Sequence, residues 1–91
     1  GQDGPSQMAL EDIAIFRSLP DSLIFYPSDG ISTWRLVELM ANYKDGISYL
    51  RTTRAETPII YTNQDTFAIG GSQVFSITQN DTVCIISAGI T

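Results

Sequence analysis

The chain is short of the residues on which several kinds of site depend. It contains no histidine, so an imidazole base, a histidine-ligated zinc and a Ser-His-Asp triad cannot form within it. Its one cysteine, Cys84, excludes an internal disulfide and lies in an apolar run, where a small buried hydrophobic side chain is typical. No stretch reaches the about 20 apolar residues of a membrane span. We therefore expect no membrane partner and a cytoplasmic location.

Positive charge is also scarce, with five lysines and arginines against ten acidic residues and a net charge of -5. No basic cluster exists to neutralise a series of phosphates, so the composition argues against a nucleic-acid partner. An anionic ligand would have to be bound by one or two placed arginines. Hydrophobic residues make up 43% of the 91 positions, which is enough to build a core. A chain of this length still buries only about 60–65% of its unfolded surface, so its stability margin is expected to be thin.

The first half of the chain alternates between helical and strand-like patterns. Helical spacing runs from Met8 to Leu19 and stops before a proline. The short apolar run Leu23–Tyr26 predicts a buried strand, and a second helix is predicted from about Ser32 to Tyr43. Another strand follows over Ile47–Arg51. Strand, helix and strand in this order predict a βαβ unit in a parallel sheet.

The second half is more polar, with a brief strand predicted at Ile59–Tyr61. Two β-rich runs, Gln73–Thr78 and Thr82–Ser87, are separated by Gln79–Asp81, which predicts an antiparallel hairpin with a three-residue loop. The expected fold class is therefore α/β, a βαβ unit followed by a β-hairpin. The sequence stops directly after an apolar strand, where an α/β protein would continue into a helix. On this ground we expect a piece of a longer chain.

Motifs spread along the whole chain resemble those of the transketolase family. The opening Gly1–Ala14 is similar to the family's G-E-D-G-P-[ST]-[HQ] loop and the helix after it, in the form of the animal-type branch. The other matching stretches, in chain order, are Phe25–Gly30, Val37–Asn42, Arg51–Thr57, Ile59–Tyr61 and Ile86–Thr91. Each motif is weak by itself, but their collinear order indicates the family.

This resemblance implies an enzyme that transfers a two-carbon ketol unit between sugar phosphates in the pentose phosphate pathway. It implies thiamine diphosphate with a divalent cation, magnesium or calcium, and a homodimer. Residues 1–72 would be the C-terminal part of the pyrimidine-binding domain of a thiamine-diphosphate-binding fold. Residues 73–91 would be the opening hairpin of the C-terminal domain. The family's cofactor-activating and diphosphate-binding residues have no counterpart in this chain. We therefore expect no catalytic residue, no bound cofactor and no activity of these 91 residues alone.

Two substrate-binding residues carried over from the family lie in the opening loop. Asp3 matches the aspartate that accepts a hydrogen bond from a sugar hydroxyl next to the reacting carbon, a task that suits an acceptor-only carboxylate. An Asx-turn within the loop is the alternative. Gln7 stands where one branch of the family has a substrate-contacting histidine. Its amide can bind substrate but cannot titrate near neutral pH, and an ordinary glutamine at a helix start is the alternative.

Arg54 matches the arginine that binds the terminal phosphate of the substrate. A guanidinium is always charged and presents a fixed fork of donors to two phosphate oxygens. The alternative is a solvated arginine, or one paired with Glu56. We expect Arg51 to be structural, because successive strand side chains alternate faces. The family's proline after the second arginine is replaced by Ala55, which removes a fixed φ from the loop, and its glutamate in the opening loop is replaced by Gln2.

Two other functions remain open at this point. One is another thiamine-diphosphate enzyme, such as a deoxyxylulose-phosphate synthase, although the Arg51–Arg54 segment favours transketolase. The other is a non-catalytic interaction or regulatory module derived from transketolase. The non-catalytic module would be distinguished from the enzymes by whether the polypeptide upstream of these residues carries the activating glutamate and the diphosphate-binding motif.

Overall fold

The computed structural model describes residues 10–90 of the chain. Its elements are helix α1 at Asp12–Arg17, strand β1 at Leu23–Phe25, helix α2 at Gly30–Asn42 and strand β2 at Ser48–Leu50. Helix α1 packs against β1, and α2 packs against β2. The order of elements is the one that the hydrophobic spacing predicts.

The two strands form a parallel sheet in which Phe25 lies opposite Leu50. The hydrogen-bonded ladder extends beyond both ends of the strands. The Leu23 N–H donates to the Ile47 carbonyl at 2.8 Å, and the Arg51 N–H donates to the Phe25 carbonyl at 2.9 Å. With α2 as the crossover connection, this is a βαβ unit, as predicted.

Helix α1 is shorter than the predicted Met8–Leu19, and the part of that range before residue 10 lies outside the described residues. It ends early because serine hydroxyls bind its last carbonyl groups. Ser18 Oγ donates to the Ile15 carbonyl at 2.6 Å, and Ser22 Oγ donates to the Phe16 carbonyl at 2.8 Å. Such bonds compete with continuation of the helix.

Helix α2 begins two residues before the predicted Ser32, because Asp29 caps it. The carboxylate Oδ1 of Asp29 accepts the Ser32 N–H at 2.7 Å, and the Asp29 N–H donates to Ser32 Oγ at 3.1 Å. This reciprocal pair is a capping box, here with serine at the third helical position. The cap leaves four residues between the end of β1 and the start of α2, which keeps the strand-to-helix turn tight.

The core is thin. Among residues 10–90, Phe25 is the only buried hydrophobic side chain, at 9% exposure. The Phe16 ring stacks on the Tyr49 ring with 4.0 Å between centroids, which packs α1 onto β2. The backbone also approaches closely just before β2, where a Cβ on Gly46 would overlap the Asp21 carbonyl oxygen. Glycine is therefore required before β2.

The predicted hairpin is wrong. The loop Gln79–Asp81 does form a turn, since the Thr78 N–H donates to Asp81 Oδ2 at 2.7 Å. The flanking runs Gln73–Thr78 and Thr82–Ser87 are not strands and do not pair. Their apolar side chains are exposed, Ile86 at 92%. A two-stranded hairpin whose apolar face has nothing to pack against is at best marginally stable in water, which explains the difference.

The brief strand predicted at Ile59–Tyr61 is also absent. The N–H groups of Ile60 and Tyr61 donate to the side chain of Asp29. Those two donors are consequently bound to a carboxylate instead of to a neighbouring strand.

Candidate functional site

The carboxyl ends of both strands lie at one edge of the sheet, because the strands are parallel. In α/β proteins ligands bind preferentially at this edge. Here β1 leads through residues 26–29 into the start of α2, and β2 leads through Arg51 into the segment that carries Arg54. The edge therefore brings the start of α2 beside the loop of residues 52–59, which we call the Arg54 loop.

Asp29 connects these two segments. Its Oδ1 caps α2, while its Oδ2 accepts the N–H groups of Ile60 at 2.8 Å and Tyr61 at 3.0 Å. The side chain is buried, with 3% of the residue exposed. One carboxylate thus fixes the helix start and the chain that follows the Arg54 loop.

Asp29 is ionised at neutral pH. Burial alone would raise the pKa of its carboxyl, but hydrogen bonds from the N–H groups of Tyr61, Ser32 and Ile60 and from the Ser32 hydroxyl stabilise the anion. They outweigh burial and hold the pKa below its ordinary value of 3.8. The charge suits the arrangement, since only an ionised carboxylate can accept on both oxygens without donating.

Arg51 is bound on the α1 side of the sheet. Its guanidinium lies 3.3 Å from Asp12 Oδ1, an ion pair without the geometry of a hydrogen bond, and 5.3 Å from the centre of the Tyr26 ring. Asp12 is buried, and its Oδ2 accepts the hydroxyl of Tyr49. These contacts join α1 to the end of β2 and agree with the structural role predicted for Arg51.

The same cluster shifts two pKa values in opposite directions. The hydrogen bond from Tyr49 lowers the pKa of Asp12 below 3.8, helped by backbone N–H groups and the charge of Arg51 and opposed by burial. Donation to Asp12, together with burial, raises the pKa of Tyr49 above 10.0. The tyrosine is therefore held as a donor and the aspartate as an acceptor across the neutral range.

Arg54 lies at an exposed bend three residues beyond Arg51. The bend is shaped by Thr53, whose Oγ1 accepts the N–H of Ala55 at 3.2 Å. A proline at this position has no N–H to donate. The departure from the family's pattern therefore adds a local hydrogen bond where the fixed φ of proline is lost.

Of the three substrate-binding residues predicted from the sequence, the structure describes Arg54. Asp3 and Gln7 lie outside the described residues. The residue that sequence reasoning missed is Asp29. A signal for it was present, because an aspartate just before a helical pattern, with Ser32 three positions later, is a capping pattern. Its second role, as acceptor for Ile60 and Tyr61, has no counterpart in local sequence.

Residues 10–90 contain neither a candidate metal cluster nor a helix that could span a membrane. Within that range no group of three or more histidine, cysteine, aspartate or glutamate side chains is arranged to hold a metal ion. Nor does the described part of the chain include a helix with the length and apolar character needed to cross a membrane.

Comparison with known proteins identifies the family. The family model described as "Transketolase, pyrimidine binding domain" matches residues 1–59. Transketolase from Homo sapiens is 54% identical over all 91 residues, which are 14% of that protein. Transketolase-like protein 1 from Bos taurus is 56% identical, and that from Mus musculus 50%, each over the whole chain and 15% of the relative's length. No solved structure matches the chain.

The chain thus spans about one seventh of the length of the curated relatives that it matches, and each match covers the whole chain. The matched region of the family model contains the βαβ unit and the Arg54 loop. The collinear motifs, the parallel βαβ unit and the match to the family model agree with one another, and the chain belongs to the transketolase pyrimidine-binding domain family.

Proposed function

We propose that these residues supply substrate contacts in a transketolase, an enzyme that transfers a two-carbon ketol unit between sugar phosphates. Support comes from the family match and from relatives named transketolase over the whole chain. We assign residues 1–72 to the pyrimidine-binding domain and residues 73–91 to the start of the C-terminal domain. The proposed protein is a cytoplasmic homodimer of the pentose phosphate pathway. No observation favours a non-catalytic module or a deoxyxylulose-phosphate synthase.

The proposed cofactor is thiamine diphosphate with a divalent cation, magnesium or calcium. The described residues do not offer a carboxylate site for the cation, because residues 10–90 hold no group of three or more histidine, cysteine, aspartate or glutamate side chains arranged to bind a metal ion. The chain also lacks a basic cluster that would suit a diphosphate, with five lysines and arginines in all. We therefore assign cofactor binding to other residues of the protein, and the role of this chain is to bind substrate.

In this proposal Arg54 binds the terminal phosphate of the sugar. The observation that carries it is the position of Arg54 at an exposed bend beyond the carboxyl end of β2. Arg51, three residues earlier, contacts Asp12 and Tyr26 on the α1 side. That edge is where an α/β protein places its ligands. Asp3 would bind a sugar hydroxyl and Gln7 would contact the substrate in the same proposal.

Replacement of Arg54 by glutamine tests the assignment in the complete protein that carries these residues. Hydrogen bonds to charged groups are worth about 1.5–3 kcal/mol. We expect kcat/KM for a phosphorylated sugar to fall by about 10- to 150-fold, with little change for the unphosphorylated analogue. Most of the loss should be in KM, because the phosphate is remote from the reacting carbonyl and binds similarly before and during the reaction.

Arg51→Gln is the matched control. It removes an equal charge from the same segment, but its contacts are with Asp12 and Tyr26. We expect it to lower stability and to affect both substrates alike. Equal losses for both substrates in the Arg54 variant, or a phosphate-selective loss in the Arg51 variant, would show that the wrong arginine has been assigned.

A further inference from the structure

We propose that Asp29 is a positioning residue for substrate phosphate, acting through the Arg54 loop; this rests on the proposed function of Arg54. Asp29 itself is buried at 3% exposure, and all of its described bonds are to the protein. It lies on the strand-to-helix turn, 25 positions before Arg54 in the sequence. Asp29 would therefore act on substrate indirectly, by fixing the position of the Arg54 loop.

The Arg54 loop is fixed at its two ends by different elements of the βαβ unit. At its beginning, the Arg51 N–H donates to the Phe25 carbonyl at the end of β1. At its end, the N–H groups of Ile60 and Tyr61 donate to Asp29 Oδ2. The first anchor is part of the sheet ladder, and the second depends on one side chain. The course of the loop between them is consequently sensitive to Asp29.

The two oxygens of Asp29 perform separable tasks. Oδ1 accepts from the backbone and hydroxyl of Ser32, each at 2.7 Å, and caps α2. Among residues 10–90, Oδ2 accepts from the loop side alone, at Ile60 and Tyr61. An asparagine can keep the capping bond, since asparagine and aspartate are comparable N-caps. Its NH₂ group in place of Oδ2 would face two N–H donors, and the loop anchor would be lost.

Burial makes the anchor strong. A carboxylate removed from water must have its hydrogen bonds supplied by the protein, and charge-assisted bonds are roughly twice as strong as neutral ones. A second tether lies further along, where Arg35 on α2 donates to the Asn63 carbonyl at 2.6 Å. That tether holds the chain beyond residue 61 without fixing the end of the loop. Asp29 is therefore the side chain that sets where the loop rejoins α2.

The test compares Asp29→Asn with Ser32→Ala in the complete protein that carries these residues. Ser32→Ala removes the hydroxyl of the capping box and leaves Oδ2 with its two loop donors. For Asp29→Asn we expect faster amide hydrogen exchange at residues 60–61 and a rise of about 10- to 100-fold in KM for the sugar phosphate, in line with the cost of a small misplacement. We expect KM for the unphosphorylated analogue to stay within about twofold. Ser32→Ala should show neither effect.

A double-mutant cycle distinguishes positioning from a general loss of structure. If Asp29 acts through Arg54, the Arg54→Gln/Asp29→Asn variant should lose no more phosphate selectivity than Arg54→Gln alone. Additive losses would overturn the inference. So would an Asp29→Asn variant with normal exchange at residues 60–61, or one with equal losses on both substrates. Arg54→Gln without phosphate selectivity would instead refute the proposed function on which the inference rests.

Asp29→Ser provides a second variant if the asparagine form does not fold. Serine remains a good N-cap but has no second oxygen for the loop, so the same exchange and KM changes are expected. If both variants fail to fold while Ser32→Ala folds, the positioning role is refuted, because Asp29 would then be required for the fold as a whole.

Discussion

The βαβ unit and the segment of residues 73–90 contain similar apolar runs with opposite outcomes. Leu23–Tyr26 includes a paired strand whose Phe25 is 9% exposed. Val83–Ile86 is at least as rich in β-branched residues, yet it forms no strand, and Ile86 is 92% exposed. The first run has a parallel partner and a helix against it, whereas the second has neither among residues 10–90. Strand propensity is thus expressed only where packing supports it.

The carboxylates that come before the end of β2 differ in the same way from those that come after it. Asp12 and Asp29 bind groups that lie 37 and 31 residues away in the sequence. Asp65 and Asp81 accept from Thr62 and Thr78, each three residues away. The first pair joins separate elements into one unit, while the second pair shapes its own turns. Cohesion in this chain therefore depends on a few long-range polar bonds around a thin core.

Phe25→Ala should have the largest effect on the difference between the two regions, because it should unfold the βαβ unit. Phe25 is the one buried hydrophobic side chain of the described residues, and truncation of a core phenylalanine costs about 3–5 kcal/mol. We expect a loss of about 3 kcal/mol or more from the free energy of unfolding of the 91-residue chain. The βαβ unit should then be unfolded in water, measured by loss of helical circular dichroism and by urea titration. Retention of a cooperative transition at the wild-type midpoint would contradict a core centred on Phe25.

Tyr49→Phe should have a smaller effect, because it keeps the ring on Phe16 and removes only the hydroxyl that Asp12 accepts. The pKa of Tyr49 is raised, so the stability from this bond is complete below pH 10.0 and is lost as pH rises through the folded-state pKa. The pKa of Asp12 is lowered, so the same stability is present above pH 3.8 and is lost as pH falls through its folded-state pKa.

The measurement is the free energy of unfolding as a function of pH for both proteins. Tyr49→Phe should be less stable at neutral pH, and its curve should meet that of the wild type at alkaline pH, where the wild type has lost the bond. Parallel curves up to strongly alkaline pH would show that the bond from Tyr49 to Asp12 contributes nothing measurable.

The smallest effect is expected for Ile77→Ser in the other region. Ile77 is 82% exposed, and surface substitutions away from special features change stability by about 0.5 kcal/mol or less. Chemical denaturation of the variant should therefore reproduce the wild-type midpoint. A loss comparable to that of Phe25→Ala would mean that residues 73–87 pack against the βαβ unit in solution, which would remove the contrast between the regions.

Much of the fold could be predicted because it depends on local patterns. The apolar run at Leu23–Tyr26, the helical spacing of α2 and the second strand predict the βαβ unit, and the structure confirms it. The bounds were less predictable, since serine hydroxyls end α1 and a capping box begins α2 two residues early. The hairpin prediction was wrong because the two runs have strand propensity but carry no information about which element would pack against their apolar side chains.

The candidate site shows the same division between local and long-range information. Arg54 is a prediction from its motif, and strand alternation predicted a different direction for Arg51, although both arginines follow β2 in the structure. The proposed role of Asp29 could not be found in this way, because the donors to its Oδ2 belong to Ile60 and Tyr61, far along the chain. Backbone N–H groups are present at nearly every residue, so no sequence pattern marks which of them will meet a given carboxylate.

The sequence by itself determined the family, the βαβ order, the scarcity of positive charge and the choice of an arginine as the candidate phosphate ligand. These depend on residue identity and on spacings of a few residues, which are the range over which side-chain periodicity operates. Only the tertiary structure decided that Asp12 and Asp29 join distant segments, that Arg51 is held by an ion pair, and that residues 73–87 lack a ladder. Those outcomes depend on which surfaces meet in space, and burial of a charge or pairing of a strand is favourable only when the partner is in place.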